Sequence, residues 1–380
     1  MSAWRYLVFA EPGGGFLGEI ELAEVSISRV LSGPGRLTGT LRGPSNALTI
    51  LRPYAVSIWA EDPSGTIRAG GLLMPMGVSE GGIELDVAGL SCYPSGQPWL
   101  ATPIDYYDTD PADIFREIWR HLQALNRGNI GVVVDNLKTG KRVGERGFWT
   151  DANGNIQRNA NYTQENKPEG WEWTEPAPVR LAWWETHDLG AVLDDMAVAG
   201  GFEYREDQAW NASRTAVERR LTLGRPSVGT RRSGPLAPRL SLGENLSVVP
   251  SLGSVHEGQY ATDMLALGAG EGAAMVSVTL TRPSPIGVRK AVVLSNSGIT
   301  DRDTVAGWGR GRLQHMDGEA KIESIGVVMT NFSHGQFDVG DEIFVSGESG
   351  FVTLDKWVRI TQMDYSPEST ATVQLTVEEC

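Results

Sequence analysis

Cysteine is nearly absent: the chain has 2 in 380 residues, Cys92 and Cys380, and so distant a pair makes no disulfide framework. Both are expected as free thiols, and matches such as Asn161-Tyr162-Thr163 to a glycosylation acceptor are expected to be chance. Long apolar runs are missing too. Nothing approaches the roughly 20 residues of a membrane span, and Met1 to Glu11 lacks the basic patch and apolar stretch of an export signal, which points to synthesis in a cytoplasm. Positive charge is in short supply, 33 Lys and Arg against 47 Asp and Glu, for a net charge of −14. That balance argues against a sequence-independent grip on nucleic acid, which needs clustered cations to displace counterions. A negative wall along which DNA slides without sticking remains compatible with it, as does plain solubility. The 5 histidines, His121, His187, His256, His315 and His334, are scattered with no partner at metal-ligand spacing.

What is present is turn chemistry and alternation. The 46 Gly and 20 Pro predict many turns between short strands. At 380 residues the chain exceeds the roughly 250–300 at which a single core stops growing, so two or three domains are expected. Glu19-Ile20-Glu21-Leu22 alternates in one phase and Val25-Ser26-Ile27-Ser28 in the other, which places a bulge near Ala23-Glu24. Strands follow at Leu37 to Leu41 and Ala55 to Trp59, then the turn Asp62-Pro63-Ser64-Gly65, a strand from Thr66-Ile67, the turn Glu80-Gly81-Gly82 and the strand Ile83 to Val87. Such even spacing predicts a sandwich or small barrel.

The period then changes. Asp110 is an N-cap, Pro111 fits the first helical position, and Ile114, Ile118, Leu122 and Leu125 form one apolar stripe, with Gly128 as the stop. From Gly147 to Trp184 the text is rich in Trp, Asn, Pro and Glu and reads as an irregular or hairpin-bearing insertion. A second helix is expected from Thr186, turning Leu189, Val192, Leu193 and Met196 inward and stopping at Gly200-Gly201, with the strand Phe202 to Arg205 after it. Arg225 to Pro238 reads as a linker. A third helix should start at Thr300-Asp301-Arg302-Asp303 and end near Gly318, and strands are expected at Phe351 to Leu354, Trp357 to Thr361 and Thr372 to Glu378.

Local motifs offer no chemistry that survives their context. Gly77-Val78-Ser79-Glu80-Gly81 matches the serine-hydrolase pattern, but that nucleophile needs a strand-to-helix turn, and here strands flank both sides. Gly268-Ala269-Gly270-Glu271-Gly272 resembles a phosphate loop without the helix that supplies its dipole. Asp151-Ala152-Asn153-Gly154-Asn155 begins like a calcium loop, yet the glycine comes early and position twelve is Tyr162 rather than Glu. A hairpin turn is the reading there, with weak calcium binding left open. No catalytic, cofactor-binding or metal-ligating residue is therefore expected, although a carboxylate pair assembled from distant segments is invisible in one sequence.

Several stretches resemble tail-tip hub proteins of long-tailed bacteriophages, the minor tail proteins of phages infecting actinobacteria in particular. They are Asp110 to Trp119 continuing to Gly128-Asn129-Ile130-Gly131-Val132, Leu189 to Tyr204, and Leu265 to Gly272 through the Thr300 helix to Phe337-Asp338-Val339-Gly340-Asp341-Glu342. The resemblance covers most of the chain and rests on element order and loose local patterns; Arg outnumbers Lys, as GC-rich genomes produce. It implies a mainly β protein with α+β insertions: two tail-tube-like antiparallel β-barrel modules plus a helix-containing region. The expected division is 1–103 for the first barrel-like module, 104–239 for the α+β region with the Trp-rich insertion and linker, and 240–380 for the second β module with one helix, discontinuity being allowed.

The resemblance further implies a homotrimer whose six barrels form a ring of pseudo-sixfold symmetry at the virion's tail tip, assembled in the host cytoplasm. Such a ring adapts the sixfold tail to a threefold tip and lines or closes the channel used in genome ejection. Its partners would be the distal tail protein ring, the tape measure protein and other tail-tip or fibre proteins, with DNA passing unbound. Because the chain ends at Cys380, just after the last expected strand, receptor binding and wall digestion would fall to other tail proteins. The alternative is a receptor- or glycan-binding tail module built on Trp149, Trp171, Trp173, Trp183 and Trp184, since aromatic faces stack on sugars; the competing view of these residues is core or subunit interface. An enzyme acting on cell-wall polymer rests only on unassigned carboxylates and Ser79.

Overall fold

The alternating text of the first ninety residues folds into eight strands: β1 (Arg5–Ala10), β2 (Phe16–Ile20), β3 (Ala23–Val30), β4 (Arg36–Leu41), β5 (Val56–Glu61), β6 (Ile67–Leu73), β7 (Gly77–Ser79) and β8 (Gly82–Ala88). The expected bulge is there: the β3–β4 register shifts between Ala23 and Ser26, and Glu24 takes a left-handed φ of 55°. The Asp62 turn is tied by its own carboxylate, whose Oδ1 accepts from Ser64 N at 2.8 Å and Thr66 N at 3.0 Å. Arg68 Nε donates to its other oxygen at 2.6 Å.

Next come β9 (Ile104–Tyr106), α1 (Pro111–Ala124), β10 (Val132–Val134), β11 (Phe148–Thr150), β12 (Ile156–Arg158), β13 (Glu172–Thr174), β14 (Val179–Leu181), α2 (Leu189–Gly200), β15 (Glu203–Trp210), β16 (Val217–Gly224) and β17 (Arg239–Ser241). They are followed by β18 (Ser251–Leu252), β19 (Asp263–Leu267), β20 (Ser277–Thr281), β21 (Ala291–Ser295), α3 (Arg302–Gln314), β22 (Ile322–Val328), β23 (Glu342–Ser349), β24 (Val352–Ser366) and β25 (Ser369–Glu379). This is a computed structural model, and it describes residues 4–41, 46–79, 82–158, 162–234, 237–246, 251–252, 260–282, 288–296, 298–299, 301–314, 316, 322–329, 335–349, 352–367 and 369–380. Among the described residues no helix is long and apolar enough to cross a membrane.

Two compact units result, one of residues 1–249 with 326–378 and Cys380, the other of residues 250–325 with Glu379. The boundaries between them fall at 249/250 and 325/326. The reason is sheet pairing. In the first unit, strands run in the order β25-β24-β3-β4-β8-β6-β5-β1-β2, so the C-terminal strands extend the sheet of the N-terminal ones. Gln362 lies opposite Val30 and Tyr365 opposite Ile27. The expectation of two barrels is corrected here, since no sheet among the described residues closes on itself. Alternation fixes which face of a strand is buried but not which edge it meets. The two short strands expected around Leu354 and Trp357 are also one long strand, because Asp355 and Lys356 continue the ladder opposite Ser346 and Val345.

Both helices of this unit pack into one core with the sheet. Ile114, Phe115, Ile118 and Trp119 of α1 and Leu189, Leu193 and Met196 of α2 cluster with Leu7, Phe9 and Trp59 of β1 and β5 and with Tyr204 and Leu221 of β15 and β16. Asp110 caps α1 through Ala112 N at 3.0 Å, and the helix ends at Ala124, one turn before Gly128. For α2 the cap is Asp188 rather than the expected Thr186 region, with Gly190 N at 2.9 Å. Gly201, left-handed at φ 59°, stops it as a residue without Cβ can.

Buried charge ties the distant segments together. Arg29 donates to Arg68 O at 2.8 Å, Glu206 O at 3.1 Å and Asp338 Oδ2 at 2.9 Å. Burial pulls its pKa down, but Asp338, with Tyr365, Asp207 and Glu206, overcomes this and the guanidinium is held above its ordinary value. Glu206 is buried, and burial pushes its carboxyl above the usual range although Ser91 N donates to it at 2.6 Å. A more deeply buried pair joins Arg219 to Glu11, with Arg219 also donating to Ile130 O at 2.6 Å and lying 5.2 Å over the Trp59 ring.

In the second unit β19 lies between antiparallel β20 and parallel β21, with Met264 opposite both Leu280 and Val292. Helix α3 covers this sheet with Val305 and Leu313 on Met264, Ala266 and Leu280. Asp301 caps it through Thr304 N at 2.7 Å. Thr300 and Gly318, the expected limits, lie outside the described residues.

Candidate functional site

The motifs weighed for chemistry resolve into turns and strand ends. Ser79 closes the edge strand β7, opposite Gly82 of β8, and Glu80-Gly81 lie outside the described residues. A strand stands where a hydrolase would place a helix. The glycines at 268–272 lead into a single 3-10 turn, Gly272–Ala274, and then β20. Asp151 spends its carboxylate on its own turn: Oδ1 accepts from Asn153 N and Asn155 N, each at 2.8 Å, and Oδ2 from Asn155 Nδ2 at 2.7 Å. These bonds, Asn155's foremost, hold its pKa below the ordinary range.

His121 lies tilted against Trp99 with centroids 4.0 Å apart and 31° between the rings, and its Nε2 accepts from Leu100 N at 3.3 Å. Burial lowers its pKa and favours the neutral ring. His256, His315 and His334 lie outside the described residues, and among the described ones no group of His, Cys, Asp and Glu is arranged to hold a metal.

The Trp-rich insertion folds into a three-stranded antiparallel sheet in the order β12-β11-β13. Trp149 of β11 lies opposite Trp173 of β13 and Gln157 of β12. Trp149 is 7% exposed, its ring lies parallel to Tyr162 at 3.7 Å and 8°, and its Nε1 donates to Thr163 O at 3.1 Å. The segment after β12 is thereby pinned to the sheet. Trp173 rests against Gly147, where a Cβ would stand 2.1 Å from its Cη2; only glycine admits that approach.

An open groove of ≈ 470 Å³ runs along this sheet, bounded by Tyr107, Arg146, Tyr162, Gln164, Glu165, Trp173 and Glu175 among others. Arg146 lies over the Tyr107 ring at 5.0 Å. Of the five tryptophans singled out in the sequence, the structure brings Trp149 and Trp173 together, one as foundation and one as wall. Trp171 does not line this groove, and Trp183 and Trp184, 60% and 46% exposed, form an edge-to-face pair beyond β14. Tyr107, Arg146 and Tyr162 carried no local signal, since each reaches the groove from a different segment.

No family model and no curated protein matches the chain. Among solved structures it is similar to the 43 kDa tail protein of prophage MuSo2 from Shewanella oneidensis, at 13% identity and a TM-score of 0.57, over 98% of this chain and 97% of that one. It is likewise similar to the tail protein from Neisseria meningitidis MC58, at 12% identity and a TM-score of 0.56, over 100% of this chain and 97% of that one. From end to end, the chain has the mainly β fold of these tail proteins.

Proposed function

We propose that this chain is a structural subunit of a phage tail tip: three copies form a ring that adapts the sixfold tail to a threefold tip and lines or closes the channel for the tape measure and DNA. The observation that carries the reading is the fold likeness to two tail proteins over nearly the full length of all three chains. Likeness confined to one module would suit a grafted domain, but here the insertion and helices are included. The net charge of −14 supports passage of DNA without capture.

Within the particle the ring would contact the distal tail protein ring, the tape measure protein and fibre proteins. Arginine-rich composition supports an actinobacterial host. The test is a reconstruction of the virion that carries this chain, together with native mass spectrometry of the purified protein. Three copies at the tail tip are expected, with trimers in solution or on assembly. Density placing the chain in the repeating tube or the capsid overturns the proposal.

A further inference from the structure

We infer that the groove on the β11–β13 sheet binds a neutral glycan. Its walls are aromatic and half-buried: Tyr162, backed by Trp149 at 3.7 Å, Trp173, seated on Gly147, and Tyr107. Rings held from behind cannot collapse onto one another to fill the space, so their remaining surface stays available to a ligand. Sugar C–H faces pack on such rings, the apolar half of an amphipathic contact.

The rim supplies the other half. Gln164, Glu165 and Glu175 are exposed along the groove, and among the described residues none of the three makes a hydrogen bond or ion pair to protein. Planar amide and carboxylate groups next to aromatic faces match ring hydroxyls, which need donors and acceptors beside an apolar surface. A groove of ≈ 470 Å³ falls within the about 300–1,000 Å³ of small-ligand clefts.

Charge selects among glycans. Glu165 and Glu175 line the groove with a single guanidinium, Arg146, which is already held over Tyr107 at 5.0 Å and paired with Asp108 Oδ2 at 3.7 Å. A phosphorylated, sialylated or uronic chain would meet net repulsion in a protein of net charge −14, whereas neutral hexose or N-acetylhexosamine units would not. An apolar peptide is disfavoured by the same rim, whose carboxylates it would desolvate without partners. The inference stands on the groove alone and is independent of the ring assignment.

The test is titration of the full chain with neutral hexose and N-acetylhexosamine oligosaccharides, and with anionic ones as controls, followed by calorimetry and tryptophan fluorescence. At least one neutral oligosaccharide is expected to bind with a dissociation constant on the order of 1 mM or tighter, and anionic counterparts about tenfold more weakly. Trp173→Ala and Gly147→Ala, which evicts the indole, should each weaken binding by about tenfold or more. Because both alter packing within the small sheet, Gln164→Ala and Glu165→Ala, both at exposed positions, should also weaken binding with melting temperatures unchanged. Absence of binding to every neutral oligosaccharide at concentrations of about 10 mM, equal binding of anionic ones, or full binding by the Gln164 and Glu165 variants overturns the inference.

Discussion

Arg29 and Asp338, 309 positions apart in the chain, meet in an ion pair at 2.9 Å. Arg29 sits on β3 and Asp338 on the turn before β23, so the pair joins the first and last thirds of the first unit where β24 pairs with β3. Backbone pairing places the strands, and this charge contact adds a check on their register.

Removing the cation leaves Asp338, and Asp207 at 3.8 Å, without it in a half-buried setting. Arg29→Met is expected to cost about 3 kcal/mol, read by urea unfolding of the full chain. Combined with Asp338→Asn, the loss should fall short of the sum of the single losses. Additivity to within about 0.5 kcal/mol would show that the two side chains do not cooperate.

Glu206 gives the unit a dependence on pH. Burial raises its folded pKa above that of the unfolded chain. Its contribution is therefore fully present below the ordinary carboxylate range and is lost as pH climbs through the raised folded value. Glu206→Gln cannot titrate, so the stability of this variant relative to the parent should increase as pH rises above the ordinary carboxylate range. Denaturant unfolding along that rise measures it; a constant difference would mean that the carboxyl titrates as it does in the unfolded chain.

How far such features can be read in advance depends on how local their causes are. The start of α1 is legible because Asp110 and Pro111 act within one turn of each other, and the β3 bulge because the change of phase at Ala23-Glu24 is written in adjacent residues. The cap of α2 is misplaced by two residues, since Thr186 and Asp188 are both competent caps and packing of Leu189 chooses between them. Pairing of β24 with β3 is not legible at all: each strand's alternation is satisfied by any partner of matching face, so two closed modules and one shared sheet look alike. The groove is half legible. Trp149 and Trp173 mark the insertion, but the stacking of Tyr162 on Trp149 and the placing of Arg146 on Tyr107 depend on how separate segments return to one surface.

The two thiols should differ in reactivity. Burial, with Glu206 and Asp86 adding to it, pushes the Cys92 thiol up to about 12, so almost none is thiolate at neutral pH. Cys380 is exposed, although partial burial raises its pKa as well. Alkylation of the native protein by iodoacetamide should label Cys380 first and leave Cys92 until denaturant is added, as peptide mass mapping would report. Equal labelling of both under native conditions would mean that the turn at Leu90–Cys92 opens readily.

Asp110 does two jobs with one carboxylate. Oδ1 caps α1 at Ala112 N and accepts from Thr139 Oγ1 at 2.8 Å, while Oδ2 accepts from Thr139 N at 2.8 Å and Gly140 N at 3.1 Å. Burial alone would raise its pKa, but the donors from Thr139, Ala112 and Gly140 outweigh it and hold the carboxyl below the ordinary range. Asp110→Ala therefore removes a cap and leaves the amides at 139 and 140 without their acceptor, an expected loss of about 3 kcal/mol. Since the folded pKa is depressed, the stabilisation is present above the ordinary carboxylate range and is lost as pH falls through the folded value. The gap between parent and Asp110→Ala should accordingly narrow on acidification, and Asp110→Asn, which keeps one acceptor, should fall between them at neutral pH. If the gap instead held steady down to about pH 3, the charge on Asp110 would contribute nothing and the side chain would act by shape alone.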